Sequence, residues 1–121
     1  MASVLTVDDS PSIRQAIKIA LGGAGHEVVE AQDGADGVAK ANAGAFSLII
    51  TDLNMPVMDG LTMIRQLRAQ PAYAGVPILF LTTESDDGIK AQAKAAGATG
   101  WVTKPFQPDQ LVRIVNKVLA A

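Results

Sequence analysis

The sequence predicts an α/β fold: one five-stranded parallel sheet, doubly wound so that five helices cover both of its faces. Three observations carry this. Short apolar runs rich in valine, isoleucine and leucine (Val4-Leu5, Leu48-Ile49-Ile50, Ile78-Leu79-Phe80-Leu81) lack the polar alternation of a half-exposed strand and suit strands buried on both sides. Segments with helical spacing alternate with these runs, as right-handed crossovers between parallel strands require. A carboxylate, hydroxyl or lysine follows most of the runs, at the strand ends where open α/β sheets bind their ligands.

In chain order, Val4, Leu5 and Val7 form a first strand ending in Asp8-Asp9, and Ser10-Pro11 caps and opens a helix. Ile13, Ala16, Ile17, Ala20 and Leu21 supply its inner side, Arg14, Gln15 and Lys18 face away, and Gly22, Gly23 and Gly25 stop it. Glu27–Ala31, flanked by acids, reads as an edge strand. Asp33-Gly34 turns into a weaker helix through Val38 and Ala41, where Gly37 costs about 1 kcal/mol relative to alanine. The apolar run through Ile50 stops at Asp52, and Asn54, Pro56 and Gly60 make a loop. Asp59 caps a helix bearing Leu61, Ile64 and Leu67 that runs out before Pro71, and residues 77–82 form the fourth strand. Ser85 or Asp86 caps an alanine-rich helix with a thin apolar side of Ile89, Ala93 and Ala96. Residues 100–103 are the fifth strand, Lys104-Pro105 breaks it, and Pro108 opens a last helix striped by Leu111, Ile114, Val115, Val118 and Leu119.

At 121 residues the chain is long enough for one domain with a core of its own, and one spanning 1–121 is expected. Aromatics make up only 4% of it, so aliphatic residues must do most of the packing. Without cysteine there is neither a disulfide scaffold nor a thiolate metal site. A net charge of −2 with no basic run argues against a nucleic-acid partner. The first residues lack a signal peptide's basic and apolar regions, and no segment is long and apolar enough for a bilayer, so no membrane role is expected and the default location is cytoplasmic.

A parallel sheet gathers Asp8, Asp9, Asp52, Thr82 and Lys104 on one rim. Three carboxylates crowded together repel, and one of them would keep its proton unless a cation intervened. Their three charges are balanced by Lys104 and one divalent ion; Mg²⁺ suits best, being held by few carboxylates and taking its remaining ligands from water and substrate phosphate. Asp52 then stays ionised and able to attack phosphorus, giving an aspartyl phosphate. The ion, the Lys104 ammonium and the Thr82 hydroxyl can each take one phosphoryl oxygen. Each residue also has a plainer reading: Asp8 and Asp9 as helix caps, Asp52 as a turn former, Thr82 as a strand residue, Lys104 as a solvated lysine. Their conjunction on successive strand ends is what favours chemistry.

With Asp8-Asp9, Asp52, Asn54-Met55-Pro56, Asp59-Gly60, Thr82 and Lys104-Pro105-Phe106 in place, the chain resembles the receiver domains of two-component response regulators over essentially its whole length, and looks like a single-domain chemotaxis regulator. The resemblance implies the flavodoxin-like strand order 2-1-3-4-5. It implies that Asp52 takes a phosphoryl group from a histidine kinase of the chemotaxis type, self-phosphorylating and self-dephosphorylating without turning over a metabolite. By the same resemblance Asp9 and Asp52 hold Mg²⁺ with the Asn54 main-chain carbonyl, Asp8 acts through water, Lys104 binds the phosphoryl oxygen ahead of a cis bond to Pro105, and Thr82 moves toward the phosphoryl group. Trp101 stands at the family's switch aromatic, while Asn54 and Glu84 tune dephosphorylation. A monomer is implied, with a flagellar motor switch protein as output partner and a phosphatase as a further one. In this reading the face built from the fourth helix, fifth strand and last helix changes packing on phosphorylation, and the thin apolar side of the fourth helix is what lets it move. Trp101 replaces the usual tyrosine or phenylalanine, and Asp86-Asp87 stands where motor-binding relatives carry lysines. The same residues also suit a phosphate sink that drains the kinase without an output partner. An aspartate-nucleophile phosphatase fits less well, since Asn54 occupies the place of its second acid.

Overall fold

A computed structural model describes residues 2–83 and 87–120. Its described residues form five strands, β1 (Ser3–Val7), β2 (Glu27–Ala31), β3 (Leu48–Asp52), β4 (Ile78–Thr83) and β5 (Gly100–Lys104). Between and after them lie α1 (Pro11–Gly23), α2 (Gly34–Ala43), α3 (Gly60–Arg68), α4 (Asp87–Ala96) and α5 (Pro108–Ala120), with a 3₁₀ turn at Pro71–Tyr73. The sheet is parallel throughout, in the order β2-β1-β3-β4-β5, the doubly wound, flavodoxin-like arrangement expected.

Side chains alternate across the sheet, so its strands feed two cores, one on each face. Leu5, Val7, Ile49, Ile78 and Phe80 point to one side, where Met63, Ile64 and Leu67 of α3 and Ala93 of α4 meet them. Val4, Leu48, Ile50, Leu79 and Val102 point to the other, against Ile17 and Leu21 of α1 and Leu111 and Val115 of α5. All these side chains are essentially inaccessible to water. Full burial of such a residue is worth about 1.5–3 kcal/mol, so the two layers hold the sheet from both faces.

Helix starts follow the expected chemistry. Ser10 Oγ accepts from the Ile13 amide, Asp33 Oδ1 from Asp36 and Asp59 Oδ1 from Thr62, each satisfying a donor left over at a helix end. The expected caps Ser85 and Asp86 lie outside the described residues. Gly37, a cost to α2 by propensity, proves to be a close-approach position: a Cβ there would stand 2.7 Å from Met63 Sδ and 3.1 Å from Val7. The chain after α3 does more than stop at a proline. The 3₁₀ turn seats Tyr73 in the core, where its hydroxyl donates to the Ala41 carbonyl at 2.6 Å and so satisfies the end of α2.

α4 is the least anchored helix on its side, burying only Ala93 among its described side chains. No described helix is long and apolar enough to cross a membrane.

Candidate active site

The carboxyl ends of four strands supply polar groups to one edge of the sheet: Asp8 and Asp9 after β1, Asp52 closing β3, Thr82 near the end of β4 and Lys104 closing β5. β2 is outermost and ends in Ala31, which offers no reactive side chain.

Register explains why the acids meet. β1 pairs with β3 from Val4↔Leu48 to Val7↔Thr51, so Asp8 and Asp52 emerge side by side one residue further on. Asp8, Asp9 and Asp52 each place a carboxylate oxygen within 4.8 Å of the others. Asp8 is 1% exposed. Its Oδ1 accepts from the Ser10 amide at 2.8 Å, but Oδ2 is buried without a hydrogen-bond partner. Burial pushes the Asp8 carboxyl above the ordinary carboxylate range, and the charges of Asp52 and Asp9 push the same way. The Ser10 amide and the Lys104 ammonium oppose them without reversing the shift. Ser10 caps α1, so capping does not account for Asp8 and Asp9.

Asp52 takes two donors on the same oxygen: the Leu53 amide at 2.8 Å and Lys104 Nζ at 3.2 Å both meet Oδ1. The Asp52 side chain is 13% exposed, shielded enough for the ion pair to count but open to a reactant. Beside it lies a cleft of roughly 90 Å³ lined by Asp52, Asn54, Thr82, Thr83, Ile89 and Lys104. Thr82 is 6% exposed, and among the described residues its hydroxyl makes only a long bond, 3.4 Å, to the Thr83 carbonyl. That bond is weak enough to give up for a better acceptor. The Lys104–Pro105 peptide is cis.

The loop after β3 is pinned from two sides. Gly60 donates to the Leu53 carbonyl at 3.0 Å, and a Cβ on Gly60 would fall 2.2 Å from the Asp52 carbonyl oxygen. Gly34 donates to the Met58 carbonyl at 3.0 Å, and a Cβ there would lie 2.3 Å from that oxygen. Both glycines therefore let main chain approach main chain around the site. Between them Val57 adopts φ 69° and is 83% exposed.

Trp101 lies on the outward edge of β5, 48% exposed, tilted against Phe80 at 6.2 Å between centroids, with Lys90 Nζ 4.9 Å above its ring. It is a rim aromatic, not a core one. Asn54 is exposed at the mouth of the cleft, and Glu84 lies outside the described residues.

One participant escaped the sequence. Arg14, assigned by helical spacing to the solvent face, folds back over the first turn of α1, donating from Nη1 to the Asp8 carbonyl at 2.6 Å and from Nε to Glu30 at 3.2 Å. Ala16, placed on the inner side by the same spacing, is exposed.

The acids offer only hard oxygen donors, and Asp8 Oδ2 is an acceptor left unpaired in a buried, negative place. Those features fit a small divalent cation.

A family model described as the response regulator receiver domain matches residues 4–116. The Pseudomonas aeruginosa protein PilH is 34% identical over 120 residues, covering 99% of both chains. The solved structure of the chemotaxis response regulator CheY4 of Vibrio cholerae is similar with TM-score 0.93 and 48% identity, covering 98% of each chain. The receiver domain of the sensor histidine kinase PA1611 of Pseudomonas aeruginosa, described with a magnesium ion coordinated in its active site cleft, is similar with TM-score 0.91 and 30% identity, over 99% of this chain and 98% of that one.

Proposed function

The chain belongs to the response regulator receiver domain family, and on that premise we propose that residues 1–121 form a phosphorylation switch of a chemotaxis-type two-component pathway, charged at Asp52. The observation that carries the proposal is a three-carboxylate cluster with a lysine paired to one of its members, on Oδ1 of Asp52. Similarity to CheY4 and PilH supports the pathway class.

In this reading an Asp52 carboxylate oxygen attacks the phosphorus of a kinase phosphohistidine. The O–P bond forms as the P–N bond breaks, and the imidazole nitrogen leaves with the electron pair, taking a proton from solvent. Lys104 steadies Asp52 before attack and can turn its ammonium to a phosphoryl oxygen afterwards. The Thr82 hydroxyl exchanges its long bond to Thr83 for a second phosphoryl oxygen. Asp9 and Asp52, together with Asp8 and the Asn54 main-chain carbonyl, would hold a magnesium ion, which when bound would supply the remaining charge neutralisation. The PA1611 receiver domain supports that choice of ion. Asn54 at the cleft mouth, and Glu84, would tune return of the group to water. The chemistry is confined to the protein's own phosphorylation and dephosphorylation.

Readout follows from Thr82. Drawing it inward vacates space beside β5, Trp101 turns in from its half-exposed position, and the face made by α4, β5 and α5 changes shape for a partner such as a flagellar motor switch protein. The light anchorage of α4 supports this. A cytoplasmic monomer is the form proposed.

The test is Mg²⁺-dependent labelling by acetyl phosphate. Wild-type protein is expected to incorporate phosphoryl with a change in Trp101 emission, and Asp52→Asn to do neither. Labelling that survives Asp52→Asn, or that ignores chelation of Mg²⁺, overturns the assignment. Capturing a motor protein only with the phosphorylated form separates a motor regulator from a phosphate sink.

A further inference from the structure

We propose that Arg14 is a positioning residue for the metal-binding acids, fixing the Asp8–Asp9 peptide so that both carboxylates face Asp52; this rests on the reading of those acids as a magnesium site. The Asp8 main chain is held on both sides. Its N–H donates to the Ala31 carbonyl of β2 at 3.0 Å, and its carbonyl accepts from Arg14 Nη1 at 2.6 Å. A peptide unit is planar, so holding its oxygen holds the plane, and with it the direction in which Asp9 leaves the backbone. Asp9 needs this help. It is exposed and has no hydrogen bond of its own among the described residues.

Arg14 is equipped to act as a strut. Its guanidinium is braced by Glu30 at 3.2 Å, its side chain is only 17% exposed, and Glu30 is itself faced by Lys18 at 3.8 Å. Lys40 donates to the Glu30 main-chain carbonyl at 2.5 Å, tying α2 to the same point of β2. The planar fork of arginine suits two acceptors in fixed directions, whereas a lysine ammonium is a single point charge. Arg14 thus joins α1, β2 and the end of β1 immediately behind the acid cluster, where outer contacts set the orientation of metal ligands.

Charge and position make opposite predictions. A guanidinium near three carboxylates repels a second cation, so if charge alone mattered, Arg14→Met would tighten Mg²⁺ binding and Arg14→Lys would leave it unchanged. If Arg14 positions the acids, both substitutions weaken binding, by about 10-fold or more.

The experiment is calorimetric titration of Mg²⁺ into wild type, Arg14→Met, Arg14→Lys, Glu30→Gln and Asp9→Asn, with metal-free melting curves for each. The expected order of affinity is wild type, then Glu30→Gln, then both Arg14 variants, with Asp9→Asn weakest. Arg14 variants that melt earlier yet bind Mg²⁺ as wild type does would reduce Arg14 to a structural strut and overturn the proposal. Tighter binding by Arg14→Met would overturn it as well. If Asp9→Asn binds as tightly as wild type while the Arg14 variants bind weakly, the reading of the site fails instead. Wild-type protein that takes up no Mg²⁺ sinks both.

Discussion

At the scale of single residues, the loop that follows the candidate nucleophile holds a β-branched side chain where glycine or asparagine would be easier. Val57 at φ 69° is 83% exposed, so no burial offsets the cost of the left-handed conformation, on the order of 1–2 kcal/mol. Val57→Gly is therefore expected to raise stability to chemical denaturation by about 1 kcal/mol, and an unchanged or lowered midpoint would refute the strain. Asp59 is the neighbouring case with the opposite sign. The Thr62 amide holds its carboxyl below the ordinary range, so its contribution is present above pH ~4 and is lost as pH falls through its lowered folded value. Asp59→Ala should cost about 1 kcal/mol at pH 7, with the gap to wild type closing in acid. Melting curves between pH 7 and pH 2.5 read both effects. The Asp59 cap was legible in the sequence, because an acid before a helical apolar pattern has one obvious use. Arg14 was not: helical spacing assigns a face, and cannot say that a long side chain will fold back past its own first turn onto a strand end.

Among the secondary elements, the strands were the most legible, because burial on both faces leaves runs of aliphatic residues that read the same in any order. Edges were less so. β4 begins at Ile78 because Pro77 has no amide to give, although its carbonyl accepts from Ile49 at 3.0 Å. The 3₁₀ turn was invisible because its reason is distant: Tyr73 reaches back to cap α2. Arg68 shows the same long reach. From the end of α3 it donates to the carbonyls of Gly97, Tyr73 and Val76 at 2.9, 2.7 and 2.6 Å, fastening the exit of α4 to the lead-in of β4. Three charge-assisted bonds to main-chain oxygens make Arg68→Ala expensive, about 2–3 kcal/mol by urea unfolding. Hydrogen exchange in the variant should rise at the carboxyl end of α4 and in the segment before β4. A loss spread evenly over the chain would argue against the fastening role.

For the molecule as a whole, the site and the stability are coupled. Asp8 is buried with its carboxyl shifted upward, so metal-free protein gains from protonating it: that contribution is complete below the ordinary carboxylate value and disappears as pH rises through the raised one. When ionised, the unpaired oxygen is a standing cost that a bound divalent ion would remove. Mg²⁺ at 100 times its dissociation constant should stabilise the fold by ~2.7 kcal/mol. Asp8→Asn should melt higher than wild type without metal and gain less when metal is added. A variant that gains as much as wild type would show that Asp8 has no part in binding. The convergence of Asp8, Asp9, Asp52 and Lys104 was legible at this scale, since a parallel sheet sends all its strand ends one way. The spacing among them depended on register, which no run of residues declares.

The strand order carries one more consequence. Asp8 comes from the first strand and Lys104 from the last, and β5 joins the sheet only at its far edge, beside β4. Lys104 therefore meets Asp52 only where β5 is docked on β4, so a change that loosens this edge parts the lysine from the acids while Asp8, Asp9 and Asp52, gathered by β1 and β3, stay together.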